Sequence, residues 1–172
     1  MTKDRRLSNR CSYALIVLLF VGVPGVGAAQ APSSSNAPAT PAPDYHPSMG
    51  DLMTMAVQPR HIKLGLAGKE RNWAYAAYEV SELRNAFARI ARTIPQYQSV
   101  DTATLVTALT KAPLDELDQA IKAANAAQFA EAYARLTQAC NACHQSQNHA
   151  FVVIMAPETG IFPDQDFRQI SH

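Results

Sequence analysis

From Trp73 to Ile94 an apolar residue recurs every three or four positions: Trp73, Ala76, Val80, Leu83, Phe87, Ile90 and Ile94. That period marks a helix with one apolar stripe, and such a stripe needs other elements to cover it. Glu79, Glu82, Arg84, Arg89 and Arg92 fall largely off the stripe. Asn72 is a good cap for its start, and Pro95 ends it. Three further helices follow from similar signals. The first begins at Ser48, an N-cap with Asp51 in the first turn, and runs to about Ala67 before Gly68. Pro59 should kink it, because proline lacks the N–H that would bond Met55. Residues 96–112 read as a long connection with at most a short helix near 104–109. The third helix is expected to open at Pro113, with Asp115 and Glu116 in its first turn and Leu114, Leu117 and Ile121 facing inward. Asn125 marks a tight turn, and the last helix runs from about Ala127 to Gln147. Its stripe is Phe129, Tyr133, Leu136, Cys140, Cys143 or His144, and Gln147. Val, Ile and Thr are not arranged in alternating runs, so no strand pattern is visible. The expected fold class is all-α, an antiparallel four-helix bundle over residues 48–156.

The chain has 172 residues, enough for one domain with a real core and too few for two ordinary ones. Its start reads as a secretory signal over residues 1–29. Lys3, Arg5, Arg6 and Arg10 precede an almost uncharged apolar run from Cys11 to Val26, which ends in small residues. That run is short for a membrane span, and Pro24 with its neighbouring glycines interrupts the end. Cleavage would remove four basic residues and Asp4, leaving 11 basic against 13 acidic side chains and a net charge of −2. Such a protein is not expected to bind nucleic acid, which usually calls for a basic excess. A basic signal without a lipid-attachment motif points to export into a bacterial periplasm. Residues 30–47 hold five of the eleven prolines among Ala, Ser and Thr, a composition that reads as a disordered tether.

The chemistry lies on the last helix, in Cys140-Asn141-Ala142-Cys143-His144. C-x-x-C-H is the attachment pattern of a c-type haem. Two cysteines three apart share a side of a helix and can form thioethers to the two vinyl groups of one porphyrin. His144 then offers its imidazole to the iron as proximal ligand. Once the signal is gone, Cys140 and Cys143 are the two remaining cysteines. A thioredoxin-like disulfide usually needs a βαβ context, and structural zinc needs a second ligand pair. The reading is therefore one covalent haem c (heme c). No nucleophile or acid–base constellation stands out, so the chain is not expected to be a substrate-turning enzyme.

The motif stands 28 residues from the C-terminus. With four helices and the motif on the last, the chain resembles the class II cytochromes c, the cytochrome c-prime family, over roughly Ser48 to Gln147. The resemblance implies four antiparallel helices, a distal side supplied by the first helix, and in many members a homodimer. Gln58-Pro59-Arg60-His61-Ile62-Lys63-Leu64 with Asn72-Trp73, and the tail Phe162-Pro163-Asp164-Gln165-Asp166-Phe167, are similar to a smaller family of secreted haem-motif proteins. That similarity bears on the fold more than on the role.

The sixth position on the iron separates two roles. A filled site suits a one-electron carrier working with a redox partner protein; an open, apolar site suits a small gas ligand such as NO or CO. The first helix is apolar on two stripes, one with Met53, Val57, His61 and Leu64 and the other with Leu52, Met55, Pro59, Ile62 and Leu66. His61 is the first candidate ligand, with Met55 and Met53 as alternatives; a thioether would favour the reduced iron. Unlike most members of the c-prime family, this chain has a histidine in its first helix. Arg60 and Lys63 are candidate partners for the haem propionates. The tail, residues 157–172, is expected to pack on the bundle and shield a haem edge.

Overall fold

A computed structural model of the chain describes residues 44–169. The segment read as a secretory signal, 1–29, most of the segment read as a tether, 30–47, and the last three residues of the tail lie outside the described residues.

The first helical stretch comes in three pieces. α1 (Met49–Leu52) opens on a reciprocal cap, in which Asp51 N–H donates to Ser48 Oγ at 3.1 Å and Ser48 N–H donates to Asp51 Oδ2 at 2.9 Å. Met53–Val57 is then wound as a π-helix, with the Gln58 N–H reaching back five residues to Met53 O. α2 (Gln58–Lys69) continues from there. The wide turn sits immediately ahead of Pro59, so the ring enters the first turn of α2, where an N–H is not needed.

α3 (Trp73–Thr93) begins where Asn72 accepts from Tyr75 N–H at 3.1 Å and stops before Pro95. The connection that follows is shorter than its sequence suggests. It contains a two-residue ribbon that the sequence does not announce, β1 (Gln96–Tyr97) against β2 (Val100–Asp101), antiparallel with Gln96 opposite Asp101. α4 (Thr102–Lys122) starts at once, capped by Asp101, which accepts from Thr104 N–H at 2.7 Å. Pro113 therefore does not open this helix; it lies inside it, buried. Its missing N–H removes one hydrogen bond, and the burial of its ring and of Leu114, Leu117 and Ile121 offsets that loss. α5 (Ala126–Ser146) is capped by Asn125, which accepts from Ala127 and Gln128 N–H, both at 3.1 Å.

The fold is all-α apart from the short ribbon. α2 packs on α3 and α5, α3 on α4, and α4 on α5. Leu64, Leu83, Ile90, Leu117 and Leu136, one or more from each long helix, are completely buried at the centre. Two glycines let α2 approach α5 closely. A Cβ on Gly68 would lie within the Phe129 ring, and one on Gly65 would stand 2.6 Å from the Tyr133 hydroxyl. Glu79 departs from its place off the apolar stripe: it is fully buried. Arg60 of α2 reaches it at 3.3 Å and also pairs with Glu82 at 3.4 Å. Burial raises the Glu79 pKa, and Arg60 opposes that rise. Among the described residues, no helix is long and apolar enough to cross a membrane.

After α5 the chain doubles back. Asn141 holds the returning segment with two hydrogen bonds, donating to Ile154 O at 2.9 Å and accepting from Ile154 N–H at 2.7 Å. Farther on, Phe167 is buried and stacks on Tyr75 with ring centroids 5.6 Å apart, and Asn72 Nδ2 donates to Arg168 O at 3.1 Å.

Candidate functional site

A cavity of about 220 Å³ opens beside the last two turns of α5. Cys140, Cys143 and His144 line it together with Met53, Val57 and His61 from the first helical stretch, Phe87 from α3, and Val106 and Leu109 from α4. Val152, Val153 and Ile154 of the returning segment complete the wall. A second lobe of about 200 Å³ shares Met53, Thr54, Val106, Cys143, His144 and Val152 with the first. Together the lobes reach the range of roughly 300–1,000 Å³ usual for small-molecule pockets. The space is mostly apolar, and Cys143 and His144 line both lobes.

His144 is oriented by a contact that no spacing rule contains. Its Nδ1 lies 2.8 Å from the carbonyl oxygen of Val152. A carbonyl only accepts, so Nδ1 carries a proton, and in the neutral ring this leaves the lone pair on Nε2. Metal-binding histidines are commonly held in this way, with the second ring nitrogen donating to a backbone carbonyl. The thiols of Cys140 and Cys143 are unpaired. Burial pushes the Cys140 thiol up to about 12, with Cys143 adding to the rise, and burial raises Cys143 as well. Both are neutral at pH 7, the reverse of a thiolate prepared for disulfide exchange.

His61 lies in the same cavity, 3% exposed. Its Nε2 is 3.0 Å from Thr137 Oγ1 and its Nδ1 is 3.0 Å from the Tyr133 hydroxyl. Burial lowers its pKa to about 4, so the ring is neutral at pH 7. Whichever nitrogen carries the proton, both are engaged by α5 side chains, and Nε2 is held against Thr137. Met53 lines both lobes, whereas Met55 is 61% exposed and lines neither.

Arg60 and Lys63 do not take the place expected of propionate partners. Neither lines the cavity: Arg60 is committed to Glu79 and Glu82, and Lys63 lies over the Phe162 ring at 4.6 Å. The expected shield also differs. Residues 152–154 cover the cavity, while Pro157, Phe162, Phe167 and Arg168 meet α2 and the start of α3. Sequence reading passed over Asn141 and Val152, because Asn141 fills an unspecified position of the motif and Val152 acts through its backbone.

Among the described residues no group of three or more His, Cys, Asp or Glu side chains is placed to hold a bare metal ion. Two thiols and one imidazole suit a group that brings its own equatorial ligands, and the apolar cavity beside them suits a flat, apolar body. The residues present therefore fit a haem. Compared with known protein families, with curated proteins and with solved structures, the chain finds no match.

Proposed function

We propose that this chain is a periplasmic mono-haem c-type cytochrome, built as an antiparallel four-helix bundle like the class II cytochromes c, and that it carries single electrons to or from a redox partner. The observation that carries the reading is the His144 imidazole, fixed by the Val152 carbonyl with Nε2 free, in one apolar cavity with both motif thiols. Cys140 and Cys143 would hold the haem through thioethers, and His144 would be its proximal ligand. A haem held in this way takes up and returns one electron. The protein's part is to attach it and orient the proximal imidazole, with Val152, Val153 and Ile154 lining one side of the space beside it.

On the opposite side of the iron, Met53 is favoured over the other candidates. It belongs to the wall shared by both lobes, while His61 has both nitrogens engaged and Met55 is exposed. A second reading rests on the same engagement of His61. If Met53 does not ligate, Val57, Phe87 and Leu109 form an apolar wall suited to binding NO or CO.

Expression with a cytochrome-maturation system, followed by mass spectrometry, tests the attachment. Covalent haem is expected, and it should be lost in Cys140→Ser with Cys143→Ser; an unmodified mass would end both readings. The reduced spectrum with and without CO then separates them. A spectrum unmoved by CO, becoming responsive in Met53→Ala, supports the carrier. A wild-type spectrum that shifts with CO supports the gas binder.

A further inference from the structure

We infer that the run from Phe151 to Met155 is the docking face for a redox partner that surrounds its own cofactor with an apolar, uncharged surface. The inference rests on the cytochrome reading and adds the partner's chemistry to it. Eight large apolar side chains stand exposed among the described residues, and four of them, Phe151, Val152, Val153 and Met155, fall within this run. Scattered exposure is normal at a protein surface, whereas a cluster marks a contact. Val152 and Val153 also line the cavity, so part of their exposure is to that space. Phe151 and Met155, 80% and 74% exposed, line neither lobe and are bare to the outside. The apolar surface therefore starts at the cavity wall and continues beyond it. Hydrogen bonds hold the run in place. Val152 O accepts from His144 Nδ1 at 2.8 Å, Val152 N–H donates to His149 O at 2.9 Å, and Asn141 holds Ile154 by its N–H and its carbonyl oxygen.

Charge and size identify the occupant. From Gln145 to Pro157 there is no Asp, Glu, Lys or Arg. Elsewhere the helix surfaces carry ion pairs, Arg84 with Asp115 and Asp118, and Arg135 with Glu116. A partner with a charged docking face would strip water from its charges here and find no opposite charge to meet them. An apolar partner escapes that cost and gains from the area it covers. A stable interface engages about 20–30 residues a side, while electron-transfer encounters form the small end of the range. A run this short suits the second kind and is too small to hold a lasting dimer. Its position agrees. Val152 is one hydrogen bond from His144, the residue read as proximal ligand, so a partner seated on the run is close to the site. One electron would pass between the partner's cofactor and the haem iron, one being oxidised as the other is reduced, and no bond forms or breaks.

The test uses the full chain matured with haem and two blue-copper proteins of similar potential as probes. One probe has an apolar, uncharged face around its copper and the other an acidic face. Stopped-flow mixing reads the rate of electron exchange. The apolar probe is expected to react about tenfold faster than the acidic one, and its rate to change less than about twofold between low and high salt, because a contact without charges is not screened. Phe151→Asp, Met155→Asp and Phe151→Lys should each slow the apolar probe about tenfold, since a charge of either sign must lose its water in the contact. Their absorption spectra, and their rates with a small neutral quinol, should match wild type. Covalent haem with the apolar probe unslowed in all three variants, or a preference for the acidic probe that salt abolishes, would overturn the inference and leave the cytochrome reading standing. Sedimentation showing a dimer that Phe151→Asp separates would also overturn it, because a second copy would then cover the face. Absence of covalent haem by mass spectrometry would end the cytochrome reading and this inference with it.

Discussion

The two ends of α5 face the same neighbour in opposite ways. Near its start, Phe129 and Tyr133 press onto Gly68 and Gly65 of α2 so closely that a methyl group has no room. Near its end, Cys140, Cys143 and His144 stand beside open space. Dense packing is the normal state of a protein interior, so the hollow end needs the tight one. The glycine contact fixes the height and rotation of α5 against α2, and the motif side chains inherit that position three turns later.

Filling the tight end breaks the comparison most directly. Gly68→Ala should cost at least the upper part of the roughly 1–3 kcal/mol usual for overpacking, although alanine is the better helix former by about 1 kcal/mol. Urea unfolding of the haem-free chain measures this, and a stability equal to wild type would show that the contact is not tight. Midway between the two ends, His61 supplies a pH effect of similar size. Its pKa falls from 6.5 to about 4 on folding. Between those values the unfolded chain binds more protons, so stability should rise with pH across that window and level off above it. At 1.36 kcal/mol per pK unit the rise is on the order of 3 kcal/mol. His61→Phe should flatten the curve over that window, and an unchanged slope would assign the effect elsewhere. The smallest effect belongs to the hollow end. Asn141→Ala removes both bonds to Ile154 and should cost about 1–2 kcal/mol, with faster hydrogen exchange at Val152 to Ile154 and little change at Leu64 or Leu136. If exchange there is unaltered, Asn141 does not hold the cover.

What could be read from the sequence was local. Ser48, Asn72 and Asn125 cap helices through bonds spanning two or three residues, so each start was visible in its own neighbourhood. Cys140, Cys143 and His144 declared themselves by spacing. The start of α4 was hidden because Pro113 looks like a first-turn residue, while Asp101, the actual cap, lies in what reads as a connection. The burial of Glu79 depends on Arg60, from another helix and 19 residues away. The cover over the cavity depends on backbone groups of residues 152–154, which no side-chain pattern encodes. Sequence signals identified the chemical groups; the contacts that orient them join distant stretches of chain.

The π-helical stretch Met53–Val57 makes the cavity wall tolerant of a change in the length of the chain itself. A π turn holds about one residue more than an α turn. Removing a single residue there would let the ladder close as a continuous α-helix, with four residues completing the turn that five had made. Everything before the deletion would then keep nearly the same orientation relative to α2. Met53 would stay at the wall, and His61, on the far side of the deletion, would keep its contacts with Tyr133 and Thr137. One codon lost in this stretch would therefore be absorbed within a single turn, leaving the residues that face the motif in place.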